Sequence, residues 1–309
     1  MGKYKAPSAR SIIQRIKDEK IKWFDLKFVD LFGTLQHLVI NADKIDESAF
    51  TKGFSFDGSS VLGFQPINNS DLILRPDPSS VFPDPFFDDP TLSCFCDIVD
   101  PRSSAPYLRD PRGVAKKAEK LVRSLGIADE VFFGPEIEFF VFDDVRFDQS
   151  TQFGYYYLNN ATAFWNTGKE GKNLGHIAPQ KRAYMAAPPI DQYNNLRSKI
   201  SNVLTSVGLD IELHHHEVAA AGQSEIGFKF GPLTMQGDRS VKYKYVVRNV
   251  ADRYEKSVTF MPKPLHQENG SGMHVNMSMM QGGKNLFYQA NRYADISELA
   301  EKFIAGILA

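Results

Sequence analysis

Residues 211–230, IELHHHEVAAAGQSEIGFKF, run three histidines straight into Glu217 and bring a second acid, Glu225, across a turn of small residues. Ile211–Val218 alternates as a strand, which puts His215 and Glu217 on one face and His214 and His216 on the other. Gln223–Phe230 alternates again, with Ile226, Phe228 and Phe230 opposite Glu225 and Lys229. Two strands joined this way can hold Glu217 and Glu225 together. Carboxylates about 4 Å apart repel by roughly 4 kcal/mol at an effective dielectric of 20. A fold that gathers them needs a cation, or must keep one of them protonated. Taken alone, the stretch also fits two separate surface strands with solvated acids.

A second acidic strand narrows the choice. In Val131–Val141, Glu136, Glu138 and Phe140 share one face, while Ile137, Phe139 and Val141 form the other and fit a core. Acids two residues apart in so apolar a strand are costly without a partner. A third stretch, Thr259–Met279, alternates in its second half. His274, Asn276 and Ser278 lie opposite Met273, Val275 and Met277. The loop Asn269-Gly270-Ser271-Gly272 before it allows close approach of backbone N–H groups to a ligand. A lone strand histidine is usually structural, but here its whole face is polar. The sequence has neither a dinucleotide fingerprint nor a Walker A motif. Glu136, Glu138, Glu217, Glu225 and His274, with no thiol among them, suit hard divalent cations such as Mg²⁺ or Mn²⁺. Such cations commonly hold phosphates, so the residues point to a two-metal enzyme acting on phosphates.

The rest of the chain supplies the frame. Ala9–Glu19 is predicted as a helix, Lys22–Leu31 and Leu35–Ile40 as a hairpin, and Asp71–Arg75 and Thr91–Val99 as strands. Gly53–Gly63 reads as an ordered loop presenting Asp57 and Ser60, and Pro76–Pro90 as a loop. Together these predict a small α+β domain over residues 1–107. Asp110-Pro111 starts a helix that Gly126 stops. Residues 144–190 are predicted as a long loop or hairpin excursion. Asp191–Val207, Asp238–Tyr254 (capped by Asp238) and Ala294–Ala309 are predicted helices. The last runs off the C-terminus uncapped, as if the chain once continued. Lys+Arg of 36 against Asp+Glu of 37 recommends neither nucleic acid nor an anionic membrane as partner. No apolar run reaches a membrane span, MGKYKAPSAR lacks a signal-peptide core, and Ala6 breaks the myristoylation pattern begun by Gly2. Cys94 and Cys96, two apart on one strand, read as reduced core thiols of a cytoplasmic protein.

FDGSS at 56–60, FFGPEIEFFVFD at 132–143, HHHEVAAAGQSEIGF at 214–228 and NGSGMHVNMS at 269–278 together resemble glutamine synthetase of the bacterial type I form, in order from about residue 20 onward. The resemblance implies an N-terminal β-grasp domain and, over residues 108–309, a catalytic domain on a curved antiparallel sheet, incomplete at its C-terminus. It implies ATP-driven ligation of ammonia to glutamate through γ-glutamyl phosphate. It also implies a homo-oligomer of two stacked hexameric rings, a dodecamer, with active sites shared between neighbours.

Carried over, Glu138, Glu217 and Glu225 match the ligands of the metal nearer glutamate, and Glu136 and His274 match two ligands of the metal on the ATP phosphates. Asp57 matches the ammonium-binding acid lent by the neighbouring subunit, with Ser60 beside it. Asn269 and Gly270 match glutamate contacts. His215, Phe230, Asn276 and Ser278 fall where the family meets the nucleotide, Asn276 standing where histidine is frequent. The 144–190 segment corresponds to a loop near the ring's central channel. The family continues beyond residue 309 with a further metal-binding carboxylate, several arginines and a flap, so independent activity is not expected. Two alternatives stand beside ammonia ligation: a γ-glutamyl ligase using an amine, which Asp57 argues against, and a non-catalytic assembly relative.

Overall fold

Strand alternation in the first hundred residues builds a sheet around one apolar face. The computed structural model describes residues 7–309, so the readings on Gly2 and Ala6 lie outside the described residues. By backbone contacts the chain forms two units. One comprises the residues up to Phe132, Gly231–Asp238 and Ser278–Ala309; the other comprises Phe133–Phe230 and Arg239–Met277.

In the first unit, α1 (Ala9–Asp18) is capped by Ser8, whose hydroxyl accepts the Ser11 N–H. Strands β1 (Trp23–Val29), β2 (Leu35–Asn41), β3 (Phe54–Asp57), β4 (Asp71–Pro76), β5 (Phe82–Pro83) and β6 (Thr91–Val99) form a sheet in the order β2-β1-β6-β4-β3, with β5 on β6. Only the β1–β6 pairing is parallel. Phe24, Leu26, Phe28, Leu72, Leu74, Leu92, Cys94, Cys96 and Ile98 pack with Ile12 and Ile16 of α1. The two cysteines are free and buried as expected, and burial pushes the Cys96 thiol well up.

One expectation is corrected here. Gly53–Gly63 is not all loop: Phe54–Asp57 pairs with β4, and a single 3-10 turn, Gly58–Ser60, follows. The polar face of β1 is buried as well. Lys27 Nζ lies 2.5 Å from Asp25 Oδ2 and 3.4 Å from Asp84 Oδ2, and Ser93 Oγ donates to Asp84 at 2.7 Å.

Helix α2 (Ala49–Lys52) is a single turn, and α3 (Pro111–Ser124) starts on the predicted Asp110 cap. The second large sheet is organised on the long strand β7 (Glu130–Phe142), most of which lies in the second unit. Hairpin β8 (Asp144–Gln149) and β9 (Gly154–Asn159) stands apart as a two-stranded sheet and occupies part of the predicted excursion. Helix α4 (Asn194–Ser206) begins three residues later than predicted, and Asp191 before it pairs its carboxylate with the buried guanidinium of Arg197 and accepts the Tyr193 N–H. Strands β10 (Ile211–His216), β11 (Gln223–Phe228), β12 (Gly231–Pro232), β13 (Ser257–Thr259), β14 (Met273–Gln281) and β15 (Lys284–Asn285) complete a seven-stranded sheet. Its order is β10-β11-β7-β14-β15, with β12 and β13 on β7.

The reverse face of β7 is core. Tyr243 of α5 (Leu233–Arg253) is fully buried, donates its hydroxyl to the Ile137 carbonyl at 3.1 Å, and packs edge-on against Phe139. Helix α5 starts five residues before the predicted cap. Asp238 therefore lies inside the helix, where its carboxylate accepts hydrogen bonds from Arg112. The last helix, α6 (Glu298–Leu308), is capped by Ser297, and the predicted start at Ala294 is a separate 3-10 turn.

Candidate functional site

The turn between β10 and β11 is buried rather than solvated. Ala219, Ala220 and Ala221 are fully enclosed, packing with Phe140, Phe142, Ala163 and Leu265 on one side and Ala178 and Ala183 on the other. Gly222 closes the turn at φ +74, where an added Cβ would stand 2.4 Å from Asn160 Nδ2 and 2.8 Å from the Val141 carbonyl. Only glycine fits. The turn is thereby fixed, and with it the two acids that flank it.

Register does the rest. His215 stands opposite Glu225 across β10–β11, and Glu225 stands opposite Glu138 across β11–β7. Directly opposed antiparallel residues have Cβ atoms about 4.5–5.5 Å apart. Glu217 Oε1 lies 3.4 Å from His215 Nδ1, and Glu225 Oε2 lies 3.8 Å from His215 Nε2. The donor atoms of His215, Glu217 and Glu225 all fall within 4.8 Å of one another, a spacing that one cation could occupy. Burial raises the Glu217 carboxyl above its ordinary value; the Val218 N–H opposes this, and the Glu138 charge adds to it. Burial also raises Glu225, with His215 opposing and Glu217, Glu136 and Glu138 adding.

Further along β7 the environment opens. Glu136 Oε2 is 3.6 Å from His274 Nδ1, and Asn276 Nδ2 donates to Glu136 Oε1 at 2.8 Å. The His274 side chain is 79% exposed and that of Glu136 44% exposed. Phe230 lies beside this end, its Cβ 3.3 Å from where a Cβ on Gly134 would sit. It was predicted on the apolar face with Ile226 and Phe228, but β11 ends at Phe228, and Phe230 is exposed. Ser278 is half-buried farther along β14.

The glycine loop borders the buried end. Gly272 passes so close that a Cβ there would be 2.9 Å from Glu138 Oε1 and 3.5 Å from His274 Cδ2. The Gly270 carbonyl accepts an N–H from Gln223 at 2.8 Å, and Asn269 is half-buried beside it. Asp57 and Ser60 belong to the other unit. There the Asp57 carboxylate is exposed, accepts the Ser59 N–H and hydroxyl at 2.9 and 2.6 Å, and accepts the Ser60 hydroxyl at 2.7 Å. These hydroxyl bonds hold the Asp57 carboxyl below its usual value.

His214 and His216 serve the scaffold. His214 Nε2 is 3.1 Å from Ser198 Oγ, His216 Nδ1 is 2.7 Å from the Glu217 carbonyl, and burial lowers both imidazoles. Sequence reasoning missed Gln223 and Glu268, each 1% exposed. Gln223 shares the alternation parity of Glu225, so the same face count contained it. Glu268, whose carboxylate accepts the Ala220 N–H at 3.3 Å, sits in a loop with no periodicity to betray its burial.

Among the described residues, no helix is long and apolar enough to cross a membrane. The family model described as "Glutamine synthetase, beta-Grasp domain" matches residues 20–101, and that described as "Glutamine synthetase, catalytic domain" matches residues 108–309. A glutamine synthetase of Methylococcus capsulatus is 47% identical over 301 residues, covering 97% of this chain and 64% of that one. One from Nostoc sp. is 46% identical over 303 residues with the same two coverages. The cryo-EM structure of Plasmodium falciparum glutamine synthetase aligns with a TM-score of 0.90 at 26% identity, over 99% of this chain and 60% of that one. The chain thus spans about 64% of the length of these curated relatives. Its architecture is a β-grasp domain followed by an α+β catalytic domain on an antiparallel sheet with flanking helices. With family models covering both parts, the chain belongs to the glutamine synthetase family.

Proposed function

We propose that this chain carries the cation- and nucleotide-binding sheet of a cytoplasmic ATP-dependent ligase that joins ammonia to glutamate, its two domains meeting at residues 107 and 108. The observation that supports this most is the convergence of Glu138, Glu225 and His215 on three adjacent strands with Glu217 just past the end of β10, while Glu136 lies farther along β7 and His274 on β14. The donor set fits a hard divalent cation: it is carboxylate and imidazole without thiol, and a cation would offset both the burial that chiefly raises Glu217 and Glu225 and the like charges that add to it.

In this reading Glu138, Glu217 and Glu225 hold one Mg²⁺ or Mn²⁺, and Glu136 and His274 contribute to a second. Bound there, the cations supply positive charge to phosphoryl oxygens. His215, Phe230, Asn276 and Ser278 meet the nucleotide; Asn269 and Gly270 meet glutamate. Transfer of the ATP γ-phosphoryl group to the glutamate γ-carboxylate gives γ-glutamyl phosphate and ADP. Asp57, with Ser60 beside it, binds ammonium and receives its proton, and the ammonia attacks the acyl carbon to give glutamine and phosphate. Asp57 is lent by a neighbouring subunit in a dodecamer of two stacked hexameric rings.

The test is phosphate release by the full-length protein with glutamate, ammonium, ATP and Mg²⁺. Release that needs all four and is lost in Glu217→Gln supports the reading. Release with a primary amine but not with ammonium replaces it with amine ligation. Intact Mn²⁺ binding with no release under any condition replaces it with a non-catalytic assembly subunit.

A further inference from the structure

Gln223 opens β11 with its side chain almost wholly buried, and every hydrogen-bonding group of its amide is used. Oε1 accepts the Ala219 N–H at 2.9 Å, while Nε2 donates to Glu138 Oε2 and to the Gly270 carbonyl, both at 2.8 Å. The orientation is forced. A flipped amide would set two donors together at Ala219 and two acceptors together at Gly270. The Gln223 backbone carbonyl also accepts the Glu217 N–H at 2.9 Å. One residue therefore touches the strand of Glu138, the chain at Glu217, the buried alanine turn and the glycine loop.

The two oxygens of Glu138 are left in different situations. Oε2 is tied to Gln223, whereas Oε1 lies on the side of Gly272 and His274. We propose that Gln223 is a positioning residue that fixes one oxygen of Glu138 and so turns the other toward the cation, locking that ligand to the Gly270 loop. This rests on the cation-binding reading given above. A purely structural amide, satisfying buried groups and nothing more, would give the same hydrogen bonds but would leave cation affinity untouched. Outer-shell partners of metal ligands are typically worth 10–100-fold in affinity, which sets the scale expected here.

The experiment is Mn²⁺ titration of the purified chain by calorimetry, with thermal melting of each variant as the control for folding. Gln223→Met keeps length and burial but makes no hydrogen bond, and should weaken the tighter Mn²⁺ site by about 10- to 100-fold. In a Glu138→Gln background the same change should cost little further affinity, since the group it positions is already gone. If Gln223→Met fails to fold, Gln223→Asn, one methylene too short to span both partners, carries the same comparison. Parent-like affinity in the folded variant, or an undiminished loss in the Glu138→Gln background, overturns the positioning role while leaving the cation site standing. Absence of Mn²⁺ uptake by the parent chain overturns the cation reading and this inference with it.

Discussion

Replacing Arg112 by methionine should destabilise the first unit strongly at neutral pH and much less in acid. Arg112, in the first turn of α3, donates through Nε and Nη2 to the two oxygens of Asp238 at 2.9 and 3.0 Å. Nη2 also reaches Asp77 at 2.7 Å, and Nη1 donates to Asp97. Its side chain is 11% exposed, and the three carboxylates are 13–19% exposed. Lys116, more open to solvent, adds bonds of 2.7 Å to Asp97 and 3.3 Å to Asp77. The set holds two cations against three anions; the variant would hold one against three.

Removing one partner of a buried ion pair costs about 3–5 kcal/mol, against about 0–1 kcal/mol for an exposed one. The residual exposure and the help of Lys116 place this case near the lower end, at about 3 kcal/mol. For a unit of this size that lowers Tm by roughly 6–12 °C. Burial alone would raise the Asp77 carboxyl, but the Arg112 charge, with the Ser79 bond and Lys116, holds it well below the usual carboxylate range. A depressed carboxyl contributes stability that is fully present above its unfolded value, near 4, and is lost as pH falls through the folded value. Calorimetric melting of parent and Arg112→Met from pH 7 to pH 3 should therefore show the gap closing below about pH 4. A gap under about 1 kcal/mol at pH 7 would mean the network is solvated. A constant gap down to pH 3 would mean the loss comes from packing and not charge.

Gly272→Ala should push Glu138 Oε1, only 2.9 Å from the new methyl, and weaken Mn²⁺ binding by about tenfold without lowering Tm appreciably; calorimetric titration checks it. Asp57→Asn in the full-length enzyme should reduce ammonium-dependent glutamine formation by about 10²- to 10⁴-fold while glutamyl phosphate still forms. Equal loss of both steps with unchanged ammonium affinity would remove Asp57 from the ammonium site. Burial pushes Asp110 up to about 6, so between about pH 4 and pH 6 the folded chain binds a proton that the unfolded chain has released. Stability from this group accordingly falls as pH rises through that window, and Asp110→Asn should flatten the fall in Tm. An unchanged slope refutes the assignment.

Strand parity was the most legible feature of the sequence, because a period of two leaves no freedom once one face is apolar. It put His215 on the face of Glu217, and the structure brings that pair to 3.4 Å. Parity fails where a strand ends: Phe230 continues the pattern of Ile226 and Phe228 on paper, but lies two residues beyond the last paired position of β11. It also cannot tell a solvated polar face from a buried one, as Asp25 and Lys27 show by pairing with Asp84, far along the chain. The cap rule erred at Asp238 for a related reason. A carboxylate before a helical run is a local signal, and its real partner, Arg112, stands 126 residues away. The site's acids were readable because their cost in an apolar strand is local. Gln223, which holds one of them, was not singled out because burying a neutral amide costs much less than burying a charge.

Two acids two residues apart on one strand face meet different surroundings, and this sets the last prediction. Glu138 is beside Gln223 at 2.8 Å, opposite Glu225, and borders a group in which His215, Glu217 and Glu225 already converge. Glu136 has His274 at 3.6 Å and the Asn276 amide at 2.8 Å, both on one exposed strand. A cation at the first place finds ordered carboxylates whose mutual repulsion it relieves. At the second it finds one solvated carboxylate, already hydrogen-bonded to an amide, and an imidazole that must be ordered on binding. The chain should therefore take up Mn²⁺ in one tight and one weak step, separated by at least about tenfold. Glu225→Gln should abolish the tight step and spare the weak one, and His274→Ala should do the reverse. Calorimetry showing two equal tight sites would refute the asymmetry. Loss of both steps in either variant would show that the two places along β7 act as one.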